Sequence, residues 1–228
     1  MQIAIVQSNY IPWKGYFDLM RSVDEFVLLD DVQYTRRDWR NRNRIKTAGG
    51  TAWLTIPVQA SGHYRDPIKN IVVSDPHWGA RHWRTLVASY ARARCFGEFA
   101  DRFDRLYHQS GATRLSDINR RFIEEVCDIL GIRTRLTWSM DYACEGGRTE
   151  RLIEICRQVG ATTYVSGPAA RAYINPALFE AAGIGLSYFA YEGYPEYDQL
   201  YPPFEHNVTV LDLLFHEGHR ALEFMRRN

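Results

Sequence analysis

The chain has 228 residues, of which 46% are hydrophobic and 24% charged, and this balance is typical of a globular protein and excludes general disorder. No run approaches the roughly 20 apolar residues that a membrane-spanning helix needs. The charges nearly cancel, with 28 Lys and Arg against 27 Asp and Glu, so a protein that binds nucleic acid over its whole surface is also excluded.

Two further features bear on location and redox state. The first apolar run, Ile3–Val6, is too short for the core of a signal peptide and follows no basic region, so we expect a cytoplasmic protein. The cysteines Cys95, Cys127, Cys144 and Cys156 lie far apart and form no Cys-x-x-Cys pair. Their spacing predicts neither a disulfide framework nor a zinc site.

The chain up to Leu29 has the pattern of a β-α-β unit. A buried strand is predicted over Ile3–Val6, a helix over Gly15–Ser22 and a second strand over Glu25–Leu29. Because a crossover helix between neighbouring strands makes the strands parallel, we expect a parallel sheet. Further strands are predicted over Ala52–Val58 and Ile71–Val73.

The middle of the chain is predicted to be mostly helical. Residues 78–132 have helical spacing with breaks at Gly97 and Gly111, and Leu115–Ile129 has the apolar stripe of an amphipathic helix. The α/β pattern then returns with strands over Arg133–Trp138, Thr162–Ser166 and Leu186–Tyr191 and helices over Arg148–Val159, Pro176–Ala182 and Val208–Phe215. We therefore predict a single α/β domain over residues 1–228, in which residues 76–132 form a helical insertion.

The loop after the first strand, residues 7–17, could bind an anion. Ligands of parallel sheets bind at the carboxyl ends of the strands, and a loop that leads into a helix offers free backbone N–H groups. Gly15 would let a ligand approach the backbone, and Lys14 would add a positive charge. The alternative is a hairpin of buried aromatic residues in which Pro12 and Gly15 only turn the chain.

The pair Asp30-Asp31 follows the second strand and should reach the same edge of the sheet. Adjacent carboxylates point to different sides of an extended chain, so both rarely serve one metal ion. One of them could bind an amine, a ribose hydroxyl or Mg²⁺, or act as a general base, while the other pairs with an arginine. An acidic turn with a surface salt bridge is the alternative.

Positive charge is concentrated in residues 36–46, which carry six basic residues and one acidic residue. Nearly all basic residues of the chain are arginine, which suits bidentate recognition of phosphate and carboxylate groups. In an extended chain Arg40, Arg42 and Arg44 would share one face and could hold a diphosphate. A solvated basic loop, or a contact to RNA through Trp39 and the arginines, are the alternatives.

A last candidate segment, Ser166–Tyr173, supplies a hydroxyl, a flexible loop and Arg171 after a predicted strand. A turn whose arginine pairs locally is the alternative.

The run His216–His219 lacks the His-Glu-x-x-His spacing of zinc proteases, so we predict no metal ligands. The predicted catalytic residues are Asp30, Asp31 and Lys14. The predicted substrate- or phosphate-binding residues are Gln7, Asn9, Tyr10, Trp13, Tyr16, Gln33, Tyr34, Arg40, Arg42, Asn43, Arg44, Ser166 and Arg171.

The order of these motifs resembles the WbqC-like family over nearly the whole chain. The segments that carry the resemblance are Ala4–Gln7, Tyr10–Phe17, Asp24–Val27, Asp30–Tyr34, Trp39–Lys46, Trp53–Val58, Tyr164–Gly167, Gly183-Ile184, Tyr197–Gln199 and Val210–Phe215. The chain departs from the family pattern at Ser8, where proline often follows the first glutamine, and at Thr209, where the last motif has serine. The resemblance implies a bacterial protein associated with O-antigen or other surface-polysaccharide synthesis, in which transferases modify nucleotide-linked amino sugars.

A weaker similarity connects the chain to adenylyltransferases with a His-x-Gly-His signature. That signature lies between the first strand and the first helix, where Pro12–Leu19 lies in this sequence with tyrosine in place of histidine. Their late Ser-to-Arg motif has the spacing of Ser166 to Arg171. The similarity implies a parallel-sheet, nucleotide-binding core of the HUP or nucleotidyltransferase type, with altered chemistry because the histidines that stabilise triphosphate charge are absent.

These observations predict a transferase that modifies an activated or nucleotide-linked (amino) sugar in bacterial surface-polysaccharide synthesis. One alternative is an ATP-dependent adenylate-forming or nucleotidyl-transfer enzyme that uses a nucleotide with Mg²⁺. A second alternative is a noncatalytic module that binds a glycan enzyme or RNA. The expected partner is a small activated donor and nucleic acid is disfavoured, while the cofactor and the oligomeric state are not predicted.

Overall fold

A computed structural model describes residues 1–59, 62–63, 65–109 and 111–225. It begins with strand β1 (Gln2–Val6), helix α1 (Lys14–Arg21) and strand β2 (Glu25–Leu28). Strands β1 and β2 are parallel neighbours, with Ile3 opposite Glu25 and Val6 opposite Leu28. The predicted β-α-β unit is therefore confirmed.

An antiparallel hairpin follows, formed by β3 (Arg42–Thr47) and β4 (Gly50–Thr55). The sequence predicts a strand at Ala52–Val58, which overlaps β4, but no strand over the basic segment that forms β3. The charged residues of β3 hide the apolar alternation by which a strand is recognised. The predicted strand Ile71–Val73 is wrong. That segment makes only isolated bridges to other parts of the chain and follows a short 3-10 turn at Ile68–Asn70.

Three helices occupy the middle of the chain: α2 (Trp78–Tyr90), α3 (Phe96–Gln109) and α4 (Leu115–Leu130). The predicted break at Gly97 is wrong, because Gly97 lies in the first turn of α3 and the chain breaks before Phe96. Gly79 brings α2 close to α3, since a Cβ atom at this position would lie 2.1 Å from the carbonyl oxygen of Tyr107. The assignment of residues 76–132 as an insertion stays a prediction.

The α/β pattern returns with β5 (Arg135–Trp138), α5 (Arg148–Val159), β6 (Thr163–Ser166), α6 (Pro176–Ala181), β7 (Gly185–Tyr188) and α7 (Val210–Glu217). Local capping explains several helix ends. Gly131 caps the end of α4 and Gly160 the end of α5, both with positive φ, and Thr209 caps the start of α7 through its side chain. Residues 189–209, between β7 and α7, contain neither helix nor strand.

The parallel sheet has the strand order β5-β2-β1-β6-β7. Side chains alternate between two apolar cores. Ile3 and Ile5 pack with α5 and α6 on one face, while Ala4 packs with α1 and the middle helices on the other. The predicted α/β fold with a parallel sheet is confirmed, and the nucleotide-binding identity of the core stays a prediction. No helix in the described part of the chain has the length and apolarity to cross a membrane.

Candidate functional site

The strand order reverses direction between β1 and β6, and this is the point at which sheets of this kind bind ligands. The carboxyl end of β1 leads to Gln7, and that of β6 leads to Gly167. Strand β2, next to β1, leads to Asp30 and Asp31. The expectation that these segments meet at one edge of the sheet is therefore met.

Asp30 is sealed inside this edge. Its side chain is fully buried, and it accepts hydrogen bonds from the backbone N–H of Ser8 at 2.9 Å and from the hydroxyl of Ser116. Asn119 donates to Ser8 Oγ at 2.9 Å and extends the network. Desolvation raises the pKa of Asp30, while the bonds from Ser116 and Ser8 and the charge of Arg40 oppose the rise. Asp30 thus ties β1, β2 and α4 together.

Asp31 points elsewhere and is less buried. Its carboxylate accepts a hydrogen bond from Ser139 Oγ at 2.6 Å and forms an ion pair with Arg151 of α5. The two adjacent carboxylates therefore diverge, as the geometry of an extended chain predicts. Asp31 is the carboxylate of the pair that solvent can reach.

Arg40 is a buried cation beneath the end of β1. The residue is 8% exposed, and its Nη1 donates to the carbonyl oxygen of Ser8 at 3.4 Å. Its Nε lies 3.7 Å from Oδ2 of Asp38 and makes no hydrogen bond. Desolvation lowers the pKa of Arg40, and Asp38, Tyr16 and Asp30 oppose this effect. The Nε of this buried guanidinium therefore has no hydrogen-bond acceptor among the described residues, although Asp38 forms an ion pair with the group.

Aromatic side chains form the wall beside Arg40. The Tyr16 hydroxyl donates to the Gln7 carbonyl oxygen at 3.3 Å, and the Trp13 ring lies 5.4 Å from the Tyr191 ring between centroids. A Cβ atom on Gly167 would lie 3.6 Å from the Tyr191 hydroxyl, so this ring reaches the end of β6. The nearby Oδ1 of Asn9 is buried without a hydrogen-bond partner among the described residues.

Gly15 makes room for a side chain of the protein itself. A Cβ atom at this position would lie 2.3 Å from the Trp13 ring. The space that the sequence assigned to a ligand is therefore filled by the Trp13 indole.

Lys14 is buried against the segment between β7 and α7. It is 3% exposed, its Nζ donates to the Pro195 carbonyl oxygen at 3.1 Å, and the Tyr194 and Tyr197 rings lie 5.1 and 5.3 Å away. Desolvation lowers its pKa to about 8 against the opposing charge of Asp212. Residues 189–209 cover this lysine, so it is closed off from a ligand at the carboxyl edge.

Several predicted binding residues hold the backbone in place. The Tyr10 hydroxyl is buried between His82 and Tyr107, at 2.8 Å from each partner atom. Asn43 donates to the carbonyl oxygens of Tyr10 and Ile11, at 3.1 and 2.8 Å.

Two further predicted residues lie on the segment that precedes the hairpin. The Tyr34 hydroxyl donates to Asn41 Oδ1 at 3.0 Å. Gln33 is exposed and pairs with Pro67 in an isolated bridge.

The three arginines of the basic segment do not share one face. Arg42 and Arg44 lie on the same side of β3, but Arg40 lies in the preceding turn and points inward to Ser8. The expected arrangement is wrong because the chain turns at Trp39–Asn41 before the strand begins.

The late segment brings Ser166 and a second group of charged and aromatic residues to the edge. Ser166 is buried, with its hydroxyl 3.1 Å from that of Tyr164. The Arg171 guanidinium lies 4.0 Å over the Tyr188 ring. Desolvation raises the pKa of Tyr173, whose ring is exposed, and the charges of Arg148 and Arg40 lower it. The positive charges of Arg148 and Arg40 therefore oppose the rise in the pKa of this phenol.

Sequence reasoning missed the groups that complete this edge, chiefly Ser116, Asn119, Ser139, Arg151 and Tyr191. Each lies more than about 80 positions along the chain from the segment after β1 or β2 that it contacts. The residues next to it in the sequence form no motif that would identify it as part of a site. No group of three His, Cys, Asp or Glu side chains that could hold a metal ion occurs in the described ranges.

The fold places the chain among α/β proteins with a doubly wound parallel sheet. The chain belongs to the WbqC-like protein family, whose profile matches residues 7–224. It is also similar to "Uncharacterized protein Rv1507c" of Mycobacterium tuberculosis (strain ATCC 25618 / H37Rv), with 48% identity over 225 residues that cover 99% of this chain and 97% of the relative. No solved structure matches the chain significantly.

Proposed function

We propose that the protein is a transferase that binds an activated, nucleotide-linked amino sugar for bacterial surface-polysaccharide synthesis. Membership of the WbqC-like family supports a role in polysaccharide-associated biosynthesis. The observation that carries the proposal is Arg40, a buried guanidinium at the switch point of the sheet whose Nε has no hydrogen-bond acceptor among the described residues. Asp38 pairs with this charge only at 3.7 Å, and a buried charge is stabilised further by direct hydrogen bonds, so the arrangement favours an anionic ligand.

The donor's phosphate groups would bind Arg40, with Arg148 at the start of α5 and Arg171 in the turn after β6 as further cations. Arginine binds phosphate oxygens through paired, charge-assisted hydrogen bonds. The unfilled Oδ1 of Asn9 would accept a hydrogen bond from an amide or hydroxyl of the donor. The Trp13 and Tyr191 rings would pack against its apolar faces.

Asp31 is the better candidate for the general base of the transfer. Both carboxylates accept hydrogen bonds through their two oxygens, but the Asp31 side chain is 11% exposed whereas Asp30 is fully buried. Asp31 would accept the proton of the attacking amine or hydroxyl, and Arg151 would hold the carboxylate in place. Lys14 would reach a ligand only if residues 189–209 moved, so we assign it no direct role in this scheme.

The test is a thermal-shift screen of the purified protein with nucleotide sugars, ATP and acyl-CoA. A ligand at about 100 times its Kd should stabilise the fold by about 2.7 kcal/mol, which raises Tm by roughly 5–10 °C. Arg40→Lys keeps the charge but loses the planar fork, and should weaken binding about tenfold or more. Arg92→Gln, at an exposed arginine after α2, is the control.

Two results would contradict the proposal. The first is the absence of any shift across the panel. The second is an Arg40→Lys variant that melts like the wild type and binds the ligand equally well.

An ATP-dependent nucleotidyl-transfer or adenylate-forming reaction is the second candidate, favoured by the position of Ser166 and Arg171 at the end of β6. The residues present do not form a ready Mg²⁺ site, because Asp30 is sealed and Asp31 is paired with Arg151. Mg²⁺ would then be held mainly by the nucleotide phosphates. Release of pyrophosphate from ATP in the presence of an acceptor panel would support this candidate over sugar transfer.

A further inference from the structure

The hairpin of β3 and β4 displays two indole rings to solvent. Trp39, in the turn before β3, is 39% exposed, and Trp53, in β4, is 44% exposed. Their ring centroids are 5.4 Å apart with an interplanar angle of 39°. Neither ring belongs to the two apolar cores. Large aromatic side chains are costly to leave in water, so an exposed pair indicates a contact surface.

Two arginines lie against the same surface. The Arg42 guanidinium is 3.9 Å above the Trp53 ring centroid, and that of Arg44, opposite Trp53 in the hairpin, is 5.9 Å away. The Nε atoms of both are buried without a hydrogen-bond partner, and no carboxylate of the described residues is within ion-pair distance. A guanidinium stacked on an indole keeps its N–H edge available for a carboxylate or phosphate.

The surface is held rigidly from behind. Asn43, which lies between the two arginines on the opposite side of β3, donates to the carbonyl oxygens of Tyr10 and Ile11. The Thr209 N–H donates to the Arg44 carbonyl oxygen at 2.8 Å and fixes the strand from its other side. A preorganised surface binds with a smaller loss of conformational entropy.

We propose that Trp39, Trp53, Arg42 and Arg44 form the acceptor subsite of the proposed transferase and bind an acidic saccharide. This inference rests on the proposed function, because the acceptor would be the growing glycan. The apolar C–H face of a sugar ring packs on an indole, whose ring face carries partial negative charge, and a sugar carboxylate pairs with the guanidinium groups. The Trp39 segment leads directly to Arg40, so acceptor and donor sites adjoin.

The observations favour a saccharide over single-stranded nucleic acid. Nucleic-acid channels place several aromatic platforms in series along an extended positive groove. This surface offers one indole pair, and the net charge of the chain is only +1. The strand of six residues spans roughly 20 Å, a length suited to a few sugar units.

The experiment measures binding of three probes by isothermal titration calorimetry at about 50 mM ionic strength, where screening is modest. The probes are tetragalacturonate, neutral maltotetraose and hexauridylate. We expect binding of tetragalacturonate alone, weakened about tenfold or more by Trp53→Ala and by Arg42→Gln. Arg92→Gln, which removes an arginine placed over the Tyr201 ring elsewhere, should bind like the wild type.

Trp53→Phe is the second variant, because it preserves an aromatic ring if Trp53→Ala fails to fold, and it should bind with intermediate affinity. Equal binding by the wild type and Arg42→Gln would overturn the subsite, as would equal binding of maltotetraose or tighter binding of hexauridylate. The donor screen is run on the same variants. If the wild type binds tetragalacturonate but none of the donors, the proposed donor site is contradicted and the acceptor subsite stands. If it binds a donor but not tetragalacturonate, the acceptor subsite is contradicted and the donor site stands.

Discussion

Burial separates residues of the same type into different roles. Asp30 and Asp31 are adjacent, but one is sealed within a hydrogen-bond network and the other is paired near the surface. Arg40 and Arg42 are two positions apart, yet one is buried beneath β1 and the other lies over an exposed ring. The chemistry available to each group follows from its solvent access and its partners.

His82 should make stability depend on pH. Desolvation lowers its pKa to about 4, although its bond to the Thr55 carbonyl oxygen opposes the change. Below the ordinary pKa of about 6.5 the unfolded chain binds a proton that the folded protein does not. The contribution of neutral His82 to the free energy of unfolding is therefore complete above pH 6.5 and is lost as the pH falls toward 4. The loss amounts to about 2 kcal/mol between pH 7.5 and pH 5.

Urea unfolding of the wild type and His82→Gln at these two pH values checks this prediction. The wild type should lose more stability on acidification than the variant, since other titrating groups are common to both. Identical losses in the two proteins would show that His82 is protonated in the fold.

At the scale of elements, close approach of backbones decides where glycine is needed. Helices α2 and α3 meet at Gly79, where a side chain would collide with the backbone of Tyr107. Gly97 lies in a helix as well, but a Cβ atom at that position would meet no atom within 4 Å. The two glycines look alike in the sequence and differ only in what packs against them.

Gly79→Ala should destabilise the fold by roughly 2–4 kcal/mol, because a rigid carbonyl must move to admit the methyl group. Gly97→Ala should be neutral or stabilise by up to about 1 kcal/mol, because alanine favours the helix and the space is open. Thermal and urea unfolding of both variants measure the difference. A Gly79→Ala variant as stable as Gly97→Ala would show that the helices are farther apart.

At the scale of the whole molecule, hydrogen bonds from buried polar groups hold residues 189–209 against the helices. Asp212 of α7 is fully buried and accepts hydrogen bonds from Tyr90 at 2.9 Å, Tyr197 at 2.7 Å and Gln199 at 2.9 Å. Lys14 and Lys46, two of the three lysines of the chain, donate to carbonyl oxygens of the same segment. The segment therefore depends on tertiary contacts for its order.

Asp212→Asn should loosen this segment and cost roughly 2–3 kcal/mol, since an amide replaces a charged acceptor of several buried hydrogen bonds. Hydrogen exchange of amides in residues 190–206 should accelerate more than exchange in the parallel sheet. Asp104→Asn, at a half-exposed position of α3, is the control and should change neither quantity measurably. Uniform acceleration across the sheet would indicate global rather than local loosening.

The sequence by itself determined the first β-α-β unit, the parallel sheet and most of the helices. Alternating apolar residues in β1 and helical spacing in α4 are local signals, and each is sufficient to define its element. The convergence of Gln7, Asp30 and Ser166 at one edge also followed, because parallel strands bring their carboxyl ends together.

Only the tertiary structure decided the role of each side chain at that edge. The turn at Arg40, the burial of Lys14 under residues 189–209 and the closure of Asp30 by Ser116 depend on chain segments far apart in sequence. The arginine-rich strand was hidden for the same reason, since its inward residues Asn43 and Ile45 are defined by what they contact. Burial and pairing are properties of packing, and they have no local signature in the sequence.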